Sequence, residues 1–339
     1  MTRFWRITTA ADDLEEGLFG QVLLWVFEVL PALERLGVRA GWEVRSRLYG
    51  GPPQHAVLPG VFEPVDAAAA AAGVSGLAAR HRTLLGVRVW HTHVLGGDWA
   101  ALHALWHRWF RVPARIEAAA DDVALPSRCL GLHYRGTDKN LALIDTNPVS
   151  ADDFLVLARA FLAERAGDAA FDGVFLASDE PGMLARAREA LAPLRVLGLG
   201  DIAFHKAPAA GPAKADRALL DCVLLSRCAA VLKCSSALSG FAKVLRPDLE
   251  IWRVAACKMF NDVPYFPDAY IPRLALRDTD PQVRAILARQ FAGDWLDDAR
   301  ARARWGAPFA ARPRYRGWAL AVRAAKHAAA RALGRTRKA

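Results

Sequence analysis

With 339 residues, 53% of them hydrophobic, the chain is too apolar to be mostly disordered and long enough for two domains of ordinary size. Its net charge of +10 is concentrated: residues 300–339 hold ten Arg and two Lys with no Asp or Glu, which leaves the first 299 residues at −2. A near-neutral body lacks the spread of cations that a nucleic-acid groove needs, so no nucleic-acid role is expected of it.

The five Cys (Cys129, Cys222, Cys228, Cys234 and Cys257) are odd in number and form no CxxC pair. That fits reduced, buried thiols in a cytoplasmic protein better than a disulfide framework. No signal peptide is expected, because Asp12, Asp13, Glu15 and Glu16 arrive before any long apolar run. The best apolar stretch, Gln21 to Leu33, is broken by Glu28 and Pro31 and is too short to span a bilayer.

In chain order, Phe4 to Thr9 reads as a first strand. A turn with Gly17 and Gly20 follows, then an apolar helix to about Leu36, closed by Gly37. Strand, Gly-containing turn and helix make the opening unit of a Rossmann-like domain, although the turn lacks a full GxGxxG. Gly41 to Gly50 alternates as a second strand would, and Gly50-Gly51-Pro52-Pro53 ends it. Residues 67–82 are Ala-rich and predict a helix, 84–95 a strand, and 99–119 a further helix. His103 and His107 stand four apart on that last helix. Without an HExxH pattern or a third ligand they read as packing or acceptor-groove residues, as do His91 and His93. Residues 121–127, polar and Pro-containing, make a domain joint.

The next stretch, Arg128 to Asn140, organises the chain. It begins as a short apolar run and breaks at Gly136 into a polar turn, as the end of a buried parallel strand does. Ligands of open α/β sheets bind beyond the carboxyl ends of strands, which is where His133, Arg135, Thr137, Asp138 and Lys139 fall. Arg135 offers a planar fork matched to phosphate oxygens, and Lys139 a mobile point charge. Ser150 reads as the N-cap of a helix over 151–166, with Asp152 and Asp153 serving its dipole and not a metal. Residues 173–181 give another strand and turn, ending in Ser178, Asp179 and Glu180. A helix (182–192), a strand (194–199), a helix (218–228) and a strand (229–232) then lead to Lys233-Cys234-Ser235-Ser236 and a helix over 237–245. Adjacent serines at a helix start suit an anion, or serve as simple caps. The fold class is α/β, with two Rossmann-like domains facing a central cleft: residues 1–124, residues 125–292, and a basic helical tail over 293–339.

His133-Tyr134-Arg135-Gly136-Thr137-Asp138-Lys139 resembles the first donor-binding motif, H-x-R-x-x-D-K, of the α1,6-fucosyltransferase and nodulation-fucosyltransferase superfamily. Phe175 to Pro181 and Asp221 to Ser239 match later blocks in order, and the Gly17–Gln21 loop matches the superfamily's Gly-containing first loop near the donor phosphates. The resemblance implies a GT-B fold with the donor on the C-terminal domain. It implies a metal-independent, inverting glycosyltransferase that takes GDP-fucose as co-substrate and a bacterial glycan or lipid-linked oligosaccharide as acceptor, with no cofactor. Arg135 would grip the β-phosphate, and His133 and Asp221 would read the guanine edge. Asp179 would contact the nucleoside side, Ser235 and Ser236 would close over the diphosphate, and Lys139 would lie near the departing phosphate. Asp138 belongs to the same donor-binding set.

The chain departs from the superfamily where a Glu follows four residues after the motif Lys. Leu143 stands there, and Asp145, two residues on, is the first candidate for a base on the acceptor hydroxyl, with Asp138 the alternative. Lys233-Cys234 also departs, since many relatives carry an uncharged residue and a Thr. Two alternatives stay open: another nucleotide sugar, or a catalytically silent sugar-nucleotide-binding protein. In the tail, Trp305, Tyr315 and Trp318 intersperse with arginines, which fits peripheral contact with an anionic membrane on its inner face or a solvated basic tail.

Overall fold

The computed structural model describes residues 4–8, 18–19, 30–37, 39–45, 49, 56–58, 60–66, 77–80, 83–84, 87–88, 99–136, 148–167, 170–200, 212–234, 236–255, 269–271 and 280–291. Strands are β1 (Phe4–Thr8), β2 (Arg39–Arg45), β3 (Ala56–Leu58), β4 (Glu63–Pro64), β5 (Leu77–Arg80), β6 (Thr83–Leu84), β7 (Val87–Arg88), β8 (Phe110–Arg111), β9 (Cys129–Tyr134), β10 (Gly173–Ser178), β11 (Arg195–Leu197), β12 (Ala230–Lys233), β13 (Glu250–Arg253) and β14 (Ala269–Tyr270). Helices are α1 (Leu30–Leu36), α2 (Trp99–Trp109), α3 (Ala114–Asp121), α4 (Ala151–Glu164), α5 (Met183–Ala190), α6 (Pro212–Arg227), α7 (Ala237–Leu245) and α8 (Pro281–Phe291).

These strands make two six-stranded sheets and a short antiparallel pair of β4 with β8. The first sheet has the order β3-β2-β1-β5-β6-β7, parallel at β2-β1-β5 and antiparallel at its edges. The second has the order β11-β10-β9-β12-β13-β14 and is parallel throughout. Numbered from its own first strand, that order is 3-2-1-4-5-6, the doubly wound arrangement. All six residues of β9 are buried, as a central parallel strand covered on both faces requires.

The pleat divides the second sheet's side chains between two layers. Leu130, Leu132, Val174, Leu176, Leu232 and Trp252 pack with α4, α5 and α8. Cys129, Phe175, Val231 and Ile251 face α6 and α7. Gly131 lets α6 approach closely, because a Cβ there would stand 2.9 Å from Leu225 Cδ2 and 3.2 Å from Cys228 Sγ. Outside α6 and α7 lie α3 and α2. Arg227 of α6 pairs with Glu117 and Asp121 of α3 at 2.8 and 2.7 Å, and Arg115 pairs with Asp216 at 2.7 Å. Phe241 of α7 is fully buried among Phe19, Phe62 and Trp106, at centroid distances of 5.9, 5.6 and 4.9 Å.

Several expectations need correction. The helix expected over 99–119 is interrupted: α2 stops at Trp109, Phe110–Arg111 pair with β4, and α3 starts at Ala114. Pro113 is the cause, since it lacks an N–H and pushes the residue before it out of helical backbone. Residues 77–80, expected as the end of an Ala-rich helix, form β5 in register with β1, so ladder pairing overrides alanine's helix preference. The strand expected over 84–95 is described as the short antiparallel pair β6 and β7, α6 starts six residues before the helix expected from 218, and β3, β4, β13, β14 and α8 were not expected. Ser150 Oγ accepts from Asp153 N at 3.1 Å as an N-cap should. The expected helix over 21–36 is described only from Leu30, and the tail helix lies outside the described residues. Among the described residues no helix is long and apolar enough to cross a membrane.

Phe241→Ala should destabilise the protein by about 3–5 kcal/mol, the usual scale for deleting a fully buried aromatic ring. Denaturant unfolding followed by tryptophan fluorescence would measure it, and a loss under about 1 kcal/mol would contradict the packing described.

Candidate functional site

The two strands at the centre of the second sheet, β9 and β12, are where the chain turns to opposite sides. The chain after β9 builds toward β10 and β11, and the chain after β12 toward β13 and β14. Their carboxyl ends therefore open a crevice, the ligand position of doubly wound sheets. His133, Arg135 and Gly136 stand at one lip and Lys233, Cys234 and Ser236 at the other.

At the first lip, Arg135 Nε lies 3.5 Å from Asp179 Oδ2, with side chains 18% and 12% exposed. The other carboxylate oxygen, Oδ1, accepts from Gly136 N at 3.1 Å. Asp179 thus holds the backbone and the guanidinium of one short segment. A Cβ at 136 would meet Glu180 Oε2 and Tyr134 Cε1, so a side chain there would have to move the Glu180 carboxylate aside and press on the Tyr134 ring. Glu180 in turn faces Arg186 at 3.3 Å.

His133 is buried, with Nδ1 2.8 Å from Ser239 Oγ in α7. Ser239 Oγ also lies 3.5 Å from Ser236 O, a group that only accepts. The 2.8 Å contact is the stronger of the two, and it fixes the ring in place in either tautomer, with Nε2 turned to the other side of the imidazole. Burial lowers the imidazole pKa well below its usual value, helped by Arg135 and Lys233, so the ring is neutral at pH 7.

Asp221 sits on α6 one turn before Leu225, which lies against Gly131 of β9. Because α6 connects β11 to β12, it runs opposite to the strands, which brings Asp221 toward the level of His133. The carboxylate is fully buried. Arg217 Nε stands 3.6 Å from Oδ2, an ion pair longer than a hydrogen bond, and neither oxygen has a hydrogen-bond partner among the described residues. Burial pushes its pKa up to about 7, against the pull of Arg217. Ser236, the N-cap residue of α7, is buried too; it makes no side-chain cap bond, and its Oγ has no hydrogen-bond partner among the described residues. Buried acceptors and hydroxyls left over at a crevice offer bonds that a ligand or ordered water can take up.

Of the expected site residues, the structure joins Arg135 to Asp179 and arranges His133, Asp221 and Ser236 around α6 and α7. Asp138, Lys139, Asp145, Ser235, Gly17 and Gly20 lie outside the described residues. Sequence reasoning missed Arg217 and Arg253, and did not single out Ser239 or Glu180 as partners. Arg217 was legible as an i,i+4 neighbour of Asp221. Arg253 ends a strand the sequence reading did not identify. The His103 and His107 rings lie 4.3 Å apart, and His103 Nδ1 is 2.9 Å from Val244 O, a packing contact with α7. Among the described residues no group of three or more His, Cys, Asp or Glu could hold a metal ion.

The Asp221 shift makes a stability prediction. Its folded pKa of about 7 exceeds an ordinary unfolded carboxylate's, so the folded state holds the proton longer and stability declines as pH rises through that window. Asp221→Asn removes the penalty. Its melting temperature relative to wild type should rise from pH 5 to pH 8, by an amount worth on the order of a few kcal/mol. A difference independent of pH would show that Asp221 titrates normally.

No family model and no curated protein matches the chain. Among solved structures it is similar to NodZ alpha-1,6-fucosyltransferase soaked with GDP-fucose, at 16% identity over 74% of this chain and 94% of that one, TM-score 0.49. Fucosyltransferase NodZ from Bradyrhizobium gives 18% identity over 74% and 95%, TM-score 0.47. A mutant of Arabidopsis thaliana FUT1 in complex with GDP gives 10% identity over 75% and 71%, TM-score 0.43. Identities and TM-scores this low leave the functional reading to the residues of the site.

Proposed function

We propose that the protein is a glycosyltransferase that takes its sugar from a GDP-sugar, GDP-fucose on the strength of the motif, and passes it to a glycan or lipid-linked oligosaccharide. The observation that carries this is the crevice beyond β9, where a guanidinium anchored by Asp179 meets a neutral imidazole and a buried, unsatisfied carboxylate. Arg135 supplies a fixed fork for phosphate. The Asp221 oxygens are acceptors, and guanine presents N–H donors on adjacent ring positions where adenine presents an acceptor. That supports guanine as the base.

In this reading the architecture is GT-B, with the first sheet's domain facing the second across the cleft. The acceptor hydroxyl attacks the anomeric carbon from the side opposite the diphosphate and inverts the centre. The bond from that carbon to the diphosphate oxygen breaks, and its electron pair stays on the phosphate, where Arg135 and Lys139 stabilise the new charge in place of a metal. The acceptor's proton passes to Asp145. Asp138 holds Arg135 and Lys139, Ser235 and Ser236 close on the phosphates, and Gly17 and Gly20 let the first loop approach them. The basic tail contacts an anionic membrane surface from the cytoplasmic side.

Release of GDP from GDP-fucose, measured with candidate glycans and with EDTA present, tests the reading. Arg135→Ala should lower kcat/KM by at least about 10²-fold, and Arg135→Lys should restore little, because a point charge does not reproduce the fork. Turnover within threefold of wild type in Arg135→Ala, or selective thermal stabilisation by UDP compounds alone, would overturn it.

The base has its own test. Asp145→Asn should cut turnover by about 10²-fold while GDP affinity stays unchanged, since the group acts on the acceptor. Full activity in that variant would move the base elsewhere.

A further inference from the structure

On the face of the second sheet covered by α6 and α7, side chains are apolar until the strands' last rank. Cys129, Phe175, Val231 and Ile251 are buried there. The final rank brings His133, Lys233 and Arg253 into register, with Lys233 paired to both neighbours. Lys233 and Arg253 are 0% exposed. A change from apolar to cationic at the one rank that borders the crevice is not what core packing alone would produce.

That rank lies at the start of α7. There Ser236 is buried, forms no side-chain cap bond, and has a hydroxyl without a partner among the described residues. A helix start already favours an anion through its N–H groups. Lys233, Arg253 and Asp179 all act on the Cys234 thiol, and Arg135 hydrogen-bonds to it through the backbone, so these groups share one neighbourhood.

We propose that Lys233 and Arg253 are positioning residues of the diphosphate subsite, fixing positive charge beneath the start of α7 where the phosphates of a nucleoside diphosphate lie. This rests on the sugar-nucleotide reading above and adds two residues to it. Charges fixed in a dry layer act on the leaving diphosphate without reorganising as it gains charge. They work through the field and through α7, while Arg135 makes the direct contact.

Calorimetry with GDP and NMR titration with guanosine, on the full chain, separate this from a structural role. Lys233→Met and Arg253→Met should each weaken GDP at least about 10-fold and leave guanosine within about threefold, with Lys233→Arg restoring most of the loss. Should a Met variant fail to melt cooperatively, the Gln variant at that position takes its place. An unchanged ratio of GDP to guanosine affinity would overturn the proposal, whatever happens to the melting temperature. If wild type ignores GDP and binds UDP, the guanine reading fails instead. The same ratio measured with UDP and uridine then decides the role of the pair.

Discussion

The carboxylate of Asp179 is the constraint on which the first lip of the crevice depends. It accepts from Gly136 N and faces Arg135, so one acid sets both the path of the chain after β9 and the direction of the guanidinium. It reaches them because the register pairs Ser178 with Tyr134 and brings the two strand ends level. A slip of one residue would turn every side chain of β10 to the other face and remove the contact. The turn beyond β10 is fixed by its own residues, with Ser178 Oγ accepting from Glu180 N at 3.1 Å. Glu180 then fills the space beside Gly136. Three consecutive residues on one strand end thus shape the next.

The second lip is organised differently, by desolvation. Asp221, His133 and Ser236 are polar groups inside a packed layer, and leaving an acceptor unsatisfied there costs on the order of 1–3 kcal/mol. The offset comes from the far half of the same helices. Leu225 and Cys228 close on Gly131, and Phe241 completes an aromatic cluster with Phe62 and Trp106. Ion pairs from Arg227 and Arg115 to their partners are largely exposed and contribute little by comparison. Stability is concentrated where the helices face apolar strand residues, and is given up where they face the crevice.

Much of this was legible in the sequence because it follows from local pattern. The apolar run ending at Gly136, the Ser150 cap and the Ser178–Glu180 cluster each predicted their place. The errors lay where distant pairing decides. Nothing in Leu77–Arg80 announces a partner in β1, and Pro113 reads as a break only once its weight is set against the amphipathic pattern around it. Partners of the site residues were the least visible. Ser239 sits 106 residues from His133, and only the packing of α7 on β9 joins them.

The acids described at this edge bear on how charge is balanced in the crevice. Asp152, Asp153, Asp179, Glu180 and Asp221 each face an arginine: Arg186, Arg289, Arg135, Arg186 and Arg217 in turn. A carboxylate committed to a guanidinium is a poor ligand for a hard divalent cation, which would have to displace the arginine before binding. In the proposed reading a diphosphate is met instead by guanidinium and ammonium groups. The cationic rank of Lys233 and Arg253 then extends the same logic below the surface. The neutral state of His133 follows first from its burial, and Arg135 and Lys233 add like charge that disfavours the imidazolium further.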